Sequence, residues 1–128
     1  MTNKEKLFAW LDGSAKGIVE LESLLTAIPA LAPESGGDGE LKKAEALEAW
    51  LRKHGITDIV RYDSPDPRVS SGKRPNLVAT IKGARDDGRV WIMSHTDVVA
   101  EGDRDMWKSD PYKVEEHDGK LWGRGVED

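Results

Sequence analysis

Residues Val90-Trp91-Ile92-Met93 form an unbroken apolar run, entered through Gly88-Arg89 and left through Ser94-His95-Thr96-Asp97. An apolar run this short, bounded by turn and polar residues, has the pattern of a strand buried on both faces. Such a strand needs neighbours on either side and cover above and below, which argues against an all-helical bundle. We expect Arg89–Ser94 to be a central strand and the fold class to be α/β, a mixed β-sheet covered by helices.

The helices are expected early. Leu7, Trp10, Leu11, Ile18, Leu21, Leu24, Leu25 and Ile28 recur at helical spacing with charges between them. Gly13 and Gly17 weaken the segment locally, and Pro29 and Pro33 prevent its continuation. Residues 33–39 have loop chemistry. A second helix is predicted from Glu40 to His54, with Leu41, Ala44, Leu47 and Leu51 on one face and Gly55 as a left-handed cap. Shorter β segments are predicted at Ile56–Tyr62 and Asn76–Ile81, separated by a Pro/Ser/Gly-rich loop from Asp63 to Arg74. Gly83–Gly88 reads as the turn of a hairpin. Asp118-Gly119 between Lys113–Glu116 and Lys120–Trp122 is a strong hairpin signal.

Bulk properties narrow the function classes. A chain of 128 residues suffices for one domain with a core. With 34% charged residues and a net charge of −5, it has no basic patch to serve as a nucleic-acid footprint. Without cysteine, disulfides and thiolate metal sites are impossible. No window approaches a membrane span, and the opening residues resemble no signal peptide. We therefore expect no nucleic-acid or membrane partner and a cytoplasmic location.

The chemistry gathers where the apolar run ends. Zinc is bound by imidazole nitrogen or carboxylate oxygen, and His95 offers the first. Residues two apart along a strand share a side, so Asp97 is expected near His95. A carboxylate accepting the other ring N–H fixes the tautomer and raises the basicity of the ligand. His-x-Asp alone is a weak signal, since a surface pair has the same spacing.

The longer context is more specific. His95, Asp97, Val98, Val99, Gly102, Trp107, Asp110, Pro111 and Tyr112, followed by Asp118-Gly119 and Gly123-Arg124-Gly125-Val126-Glu127-Asp128, resemble the two N-terminal signatures of the zinc-dependent aminoacylase/carboxypeptidase family of metallopeptidases. That family includes acetylornithine deacetylase, succinyl-diaminopimelate desuccinylase and glutamate carboxypeptidase. Ile28-Pro29-Ala30 and Arg74-Pro75-Asn76-Leu77 also look like the family, and the resemblance is strongest from Trp91 to Asp128.

The resemblance implies a hydrolase of N-acyl amino acids or small peptides, deacylase or exopeptidase, working through a metal-activated water. It implies two zinc ions, with cobalt or manganese as possible substitutes, and a homodimeric full-length protein. His95 would bind one metal, Asp97 would orient His95, and Asp128 would bridge both metals. The family's Glu-Glu pair, a further carboxylate ligand and the last His are not found here. Residues 1–128 are thus expected to be the N-terminal part of the catalytic domain, cut at Asp128 and inactive alone. The rival expectation is a non-catalytic metal-binding or interaction module of the same fold.

Other candidates have plainer readings. His54 precedes Gly55 and suits a helix C-terminus. His117 reads as solvated beside its turn. Trp10, Trp50 and Trp91 read as core. Trp107 and Tyr112 read as loop packing, with an approach to the metals as the other reading. Arg124 reads as steadying the turn that carries Asp128, ahead of a direct substrate contact. Residues 34–39 read as surface loop, with the border of a substrate cleft as the alternative.

Overall fold

A computed structural model describes residues 1–85 and 87–127. Helix α1 (Asn3–Asp12) starts at a capping box: the Glu5 amide donates to Thr2 Oγ1, and the Thr2 amide donates to the Glu5 carboxylate at 2.6 Å. It stops at Gly13, and α2 (Ala15–Thr26) follows at once. The continuous periodicity from Leu7 to Ile28 is thus divided at the first of the two glycines. No residue of α1 is buried, and Trp10, expected in the core, is 67% exposed. Its neighbours Leu7, Phe8 and Leu11 are exposed too, so the apolar stripe of α1 has no cover among the described residues.

After α2 the chain turns through Pro29 to Ala30, which is fully buried, and through a short 3-10 turn at Pro33–Ser35. Helix α3 (Leu41–Lys53) packs against α2 and buries Ala44. Its end is a Schellman motif. Gly55 adopts φ +85°, its amide donates to Arg52 O, and the Ile56 amide donates to Leu51 O. His54 is the C-cap; its ring stacks on Trp50 at 3.8 Å, and Nδ1 lies 2.7 Å from Trp50 O.

Strand β1 (Ile59–Arg61), then β2 (Ser64–Pro65), β3 (Lys73–Arg74) and β4 (Leu77–Ala79) form two antiparallel pairs, β1 with β4 and β2 with β3. Val60 faces Val78 in the first pair, and Ser64 faces Arg74 in the second. The loop expected from Asp63 to Arg74 therefore contains a small hairpin of its own. An ion-pair cluster binds it to the helical part. Arg74 pairs with buried Glu40 and with Asp66, and Arg68 pairs with Asp66 and Glu34. Arg68 holds the Asp66 carboxyl well below the usual carboxylate range, its side-chain hydrogen bonds being the main cause. On the other side of α3, Glu48 accepts from both Arg52 and Arg61 and so joins the helix to β1.

Strands β5 (Glu115–His117) and β6 (Lys120–Trp122) make the predicted hairpin. Asp118 at φ 54° and Gly119 at φ 69° supply the two left-handed residues that a type I′ turn requires. His117 is half-exposed and stacks on Trp122.

The class is mixed α/β, as expected, but the sheet is three separate two-stranded ladders. The central strand is not there. Residues 89–94 run without ladder partners among the described residues, with Val90 90% and Met93 91% exposed. Trp91, expected in the core, is 69% exposed. The physical reason is that an apolar run records a tendency to be buried without supplying the surface that buries it. β4 already pairs with β1, and no described strand lies beside residues 89–94. The turn expected at Gly83–Gly88 includes Asp86, outside the described residues.

Candidate functional site

The segment that follows the exposed run is anchored at Val98. The Val98 amide donates to the carbonyl of buried Ala30 at 3.0 Å, which docks residues 95–99 against the connection between α2 and α3. His95 and Asp97 are adjacent, although the strand geometry that predicts it is not formed at residues 89–99. His95 Nδ1 is 2.9 Å from the main-chain oxygen of Asp97 and 3.5 Å from its Oδ1. A carbonyl only accepts, so in this contact Nδ1 is the nitrogen that carries a proton. A metal-ligating imidazole carries its proton on the nitrogen that faces such a partner. Both side chains are about half-exposed.

The second segment is held more tightly. Gly123 sits where a Cβ would come within 3.1 Å of Val126 Cγ1 and 3.3 Å of Thr26 Cγ2. The Arg124 amide donates to Pro111 O at 2.6 Å, and Gly125 turns the chain with φ +77°. The Arg124 guanidinium lies over the Trp107 ring, 5.2 Å from its centroid, and donates through Nη2 to Glu101 O at 3.1 Å. Trp107 Nε1 donates to the same carbonyl at 2.9 Å. The Glu101 carboxylate accepts from Tyr112 Oη at 2.7 Å and faces Arg104 at 3.4 Å. Burial, reinforced by Glu101, pushes the Tyr112 phenol up to about 12. The Tyr112 hydrogen bond is the main reason that the Glu101 carboxyl is lowered.

The two segments meet. His95, Asp97, Val98 and Val99 from one, and residues 123–127 from the other, line a cleft of about 350 Å³. Asp128, expected as the second metal ligand, lies outside the described residues. Among the described residues no group of three His, Cys, Asp or Glu side chains could hold a metal ion. The donors present therefore fit part of a metal centre, one oriented imidazole with a carboxylate beside it.

Two residues near the site escaped the sequence reading. Glu101 looked like any acidic loop residue, and nothing in its neighbourhood signalled that four side chains, of Arg104, Trp107, Tyr112 and Arg124, end on it. Lys43 is buried on α3. Burial pushes its ammonium down, while the charges of Glu22 and Asp97 oppose the shift. Its position one residue before Ala44, on the apolar side of α3, was the available signal. Trp107 and Tyr112 take the packing role expected of them, and their partners are Glu101 and Arg124.

Residues 91–128 match peptidase family M20/M25/M40. The chain is 38% identical over 117 residues to an uncharacterized metallohydrolase of Methanococcus maripaludis, covering 86% of this chain and 27% of the relative. It is 37% identical over 114 residues to a second such metallohydrolase, of Methanocaldococcus jannaschii, covering 86% of this chain and 28% of that protein. The chain is 30% identical over 105 residues to the succinyl-diaminopimelate desuccinylase of Rickettsia bellii, covering 81% of this chain and 24% of that enzyme. The chain thus spans about a quarter of the length of the curated relatives it matches. No solved structure matches it.

Proposed function

Since residues 91–128 place the chain in peptidase family M20/M25/M40 over that part of its length, we propose that the protein is a metal-dependent amide hydrolase of N-acyl amino acids or small peptides. Residues 1–128 are the N-terminal part of its catalytic domain. One observation supports this reading above the others: the cleft joins the His95–Asp97 segment to the glycine turn that leads to Asp128. In this assignment His95 and Asp128 are metal ligands, and Asp128 bridges. Asp97 and its own carbonyl hold the His95 ring with Nε2 as the ligating atom. A pair of zinc ions, with cobalt or manganese as substitutes, would supply Lewis acidity toward the amide carbonyl and acidify a water.

The donor set of the described residues is incomplete, so the general base and the remaining ligands are assigned to other parts of the intact protein. Residues 1–128 alone are then inactive. The same reading has the intact protein as a cytoplasmic homodimer. Among the described residues no helix is long and apolar enough to cross a membrane.

Metal analysis of the intact protein, with hydrolysis assays on panels of N-acyl amino acids and dipeptides, tests the reading. Activity should vanish on chelation, return with zinc, and be lost in His95→Ala. Full turnover by His95→Ala would overturn it. The exposed run at Val90–Met93 favours one second reading, a non-catalytic metal-binding or interaction module. A metal-loaded intact protein without turnover on either panel would select that alternative.

A further inference from the structure

Among the described residues, the two segments that bear the proposed ligands are tied to each other at Glu101. Glu101 stands four positions after Asp97, and Arg124 stands four positions before Asp128. They meet through Arg124 Nη2 and Glu101 O at 3.1 Å. Trp107 shares that carbonyl, and its ring lies under the guanidinium, 5.2 Å from centroid to Cζ. Tyr112 holds the carboxylate of the same residue at 2.7 Å, so both ends of Glu101 are occupied. Arg124 is also fixed at its main chain by Pro111, next to Tyr112. Among the described residues its buried Nε has no hydrogen-bond partner, while Nη2 and the face toward Trp107 make its contacts. A lysine has neither the planar fork nor the stacking face.

We propose that Glu101, Tyr112 and Arg124 are positioning residues that set the spacing between His95 and the turn leading to Asp128, and thereby the geometry of the metal centre. The proposal rests on the assignment of His95 and Asp128 as ligands. It goes beyond steadying one turn, because the clamp acts on the separation of two ligand-bearing segments. Partners that orient ligands in this indirect way typically change metal affinity or activity about 10–100-fold when lost.

The test uses the cobalt-substituted intact protein and follows cobalt affinity, the visible absorption band, kcat and KM. Arg124→Lys keeps the charge and removes the Nη2 bond. Tyr112→Phe keeps the ring and removes only the hydroxyl. Arg124→Lys should weaken cobalt binding about tenfold, alter the visible band, and lower kcat with KM nearly unchanged. Tyr112→Phe should shift the same readouts in the same direction by less. The double variant should fall short of the sum, because both side chains act through Glu101. If Arg124→Lys fails to fold, Tyr112→Phe decides the question alone, since only a hydroxyl is removed. Unchanged affinity and band in the clamp variants, with both abolished in His95→Ala, would overturn the clamp and leave the metal assignment standing. An unchanged band in His95→Ala would overturn both.

Discussion

His95 Nδ1 lies closer to the main-chain oxygen of Asp97, at 2.9 Å, than to its carboxylate, at 3.5 Å. The ring is therefore oriented chiefly by backbone that no substitution at position 97 removes. The carboxylate adds charge beside the imidazole more than it adds direction. In the intact protein, Asp97→Ala should lower metal affinity and activity by about tenfold, the small end of the usual range for such partners. Equilibrium dialysis with zinc and initial-rate assays measure both. A loss near a thousandfold would mean that Asp97 itself binds metal.

For residues 1–128 by themselves, zinc affinity should be weak, because a catalytic zinc site draws on three protein ligands and the assignment gives this chain two. Thermal melts at rising zinc concentration should show only a small upward shift, absent in His95→Ala. A large shift at micromolar zinc would require ligands not recognised among these residues.

Two glycines should respond to alanine with opposite signs. At Gly37 a Cβ would sit 2.1 Å from Leu31 O, a clash with backbone that cannot move aside. Gly37→Ala should cost about 3 kcal/mol. Gly17, within α2, has nothing within 4 Å of its missing Cβ. Gly17→Ala should stabilise by about 0.5–1 kcal/mol through the lost freedom of the unfolded chain. Urea denaturation of both variants gives the two values.

Asp66 makes acid stability a local property. Its carboxyl is held well below the ordinary carboxylate value, first by the Arg68 side chain, so the folded state binds a proton less readily than the unfolded state. The contribution is complete above about pH 4, the ordinary aspartate value, and is lost as pH falls from there toward the folded value. Wild type should exceed Asp66→Asn in melting temperature at neutral pH, and the gap should narrow as the pH drops below about 4. A gap that stays constant from neutral to strongly acidic pH would mean that the charge of Asp66 is not what stabilises.

The exposed run should drive self-association of the 128-residue chain. Val90 and Met93 present apolar surface beside backbone without ladder partners among the described residues. Ile92→Ser should reduce the associated fraction in light scattering while changing stability by no more than about 0.5 kcal/mol, as for other surface positions. A wild-type chain that is monomeric throughout would refute this.

Features legible in the sequence were those decided within a few residues. The Schellman end at Gly55 and the type I′ turn at Asp118-Gly119 follow from local backbone preferences, and His95 lies near Asp97 by closeness in the chain, without the expected strand. What could not be read depends on distant partners. Val90–Met93 resembles a central strand because its composition reports hydrophobicity, and composition does not identify a neighbour. Trp10 lies on a helical stripe that nothing described here covers. Glu101 is a hub only because Arg124, Trp107 and Tyr112 reach it from later in the chain. The cluster around Asp66 was missed for the same cause, since Arg68 and Arg74 meet Glu34 and Glu40 from 34 residues further along the chain.

Three two-stranded ladders in place of one sheet have a consequence for how the molecule opens. A two-stranded ladder is marginal by itself, so each depends on what it is fastened to. The β1–β4 pair is linked to α3 through Glu48 and Arg61, and the β2–β3 pair through Arg74 and Glu40. Among the described residues the β5–β6 hairpin has no such ion pair to a helix, and the stacking of His117 on Trp122 lies within the hairpin itself. Amide protons should therefore exchange with solvent in tiers: slowest in α2 and α3, next in β1–β4, and fastest in α1 and the β5–β6 hairpin. Residues 123–127 follow the least protected of these units, and the bonds from Arg124 to Pro111 and Glu101 are what keep the opening of that hairpin from spreading into the cleft beside His95.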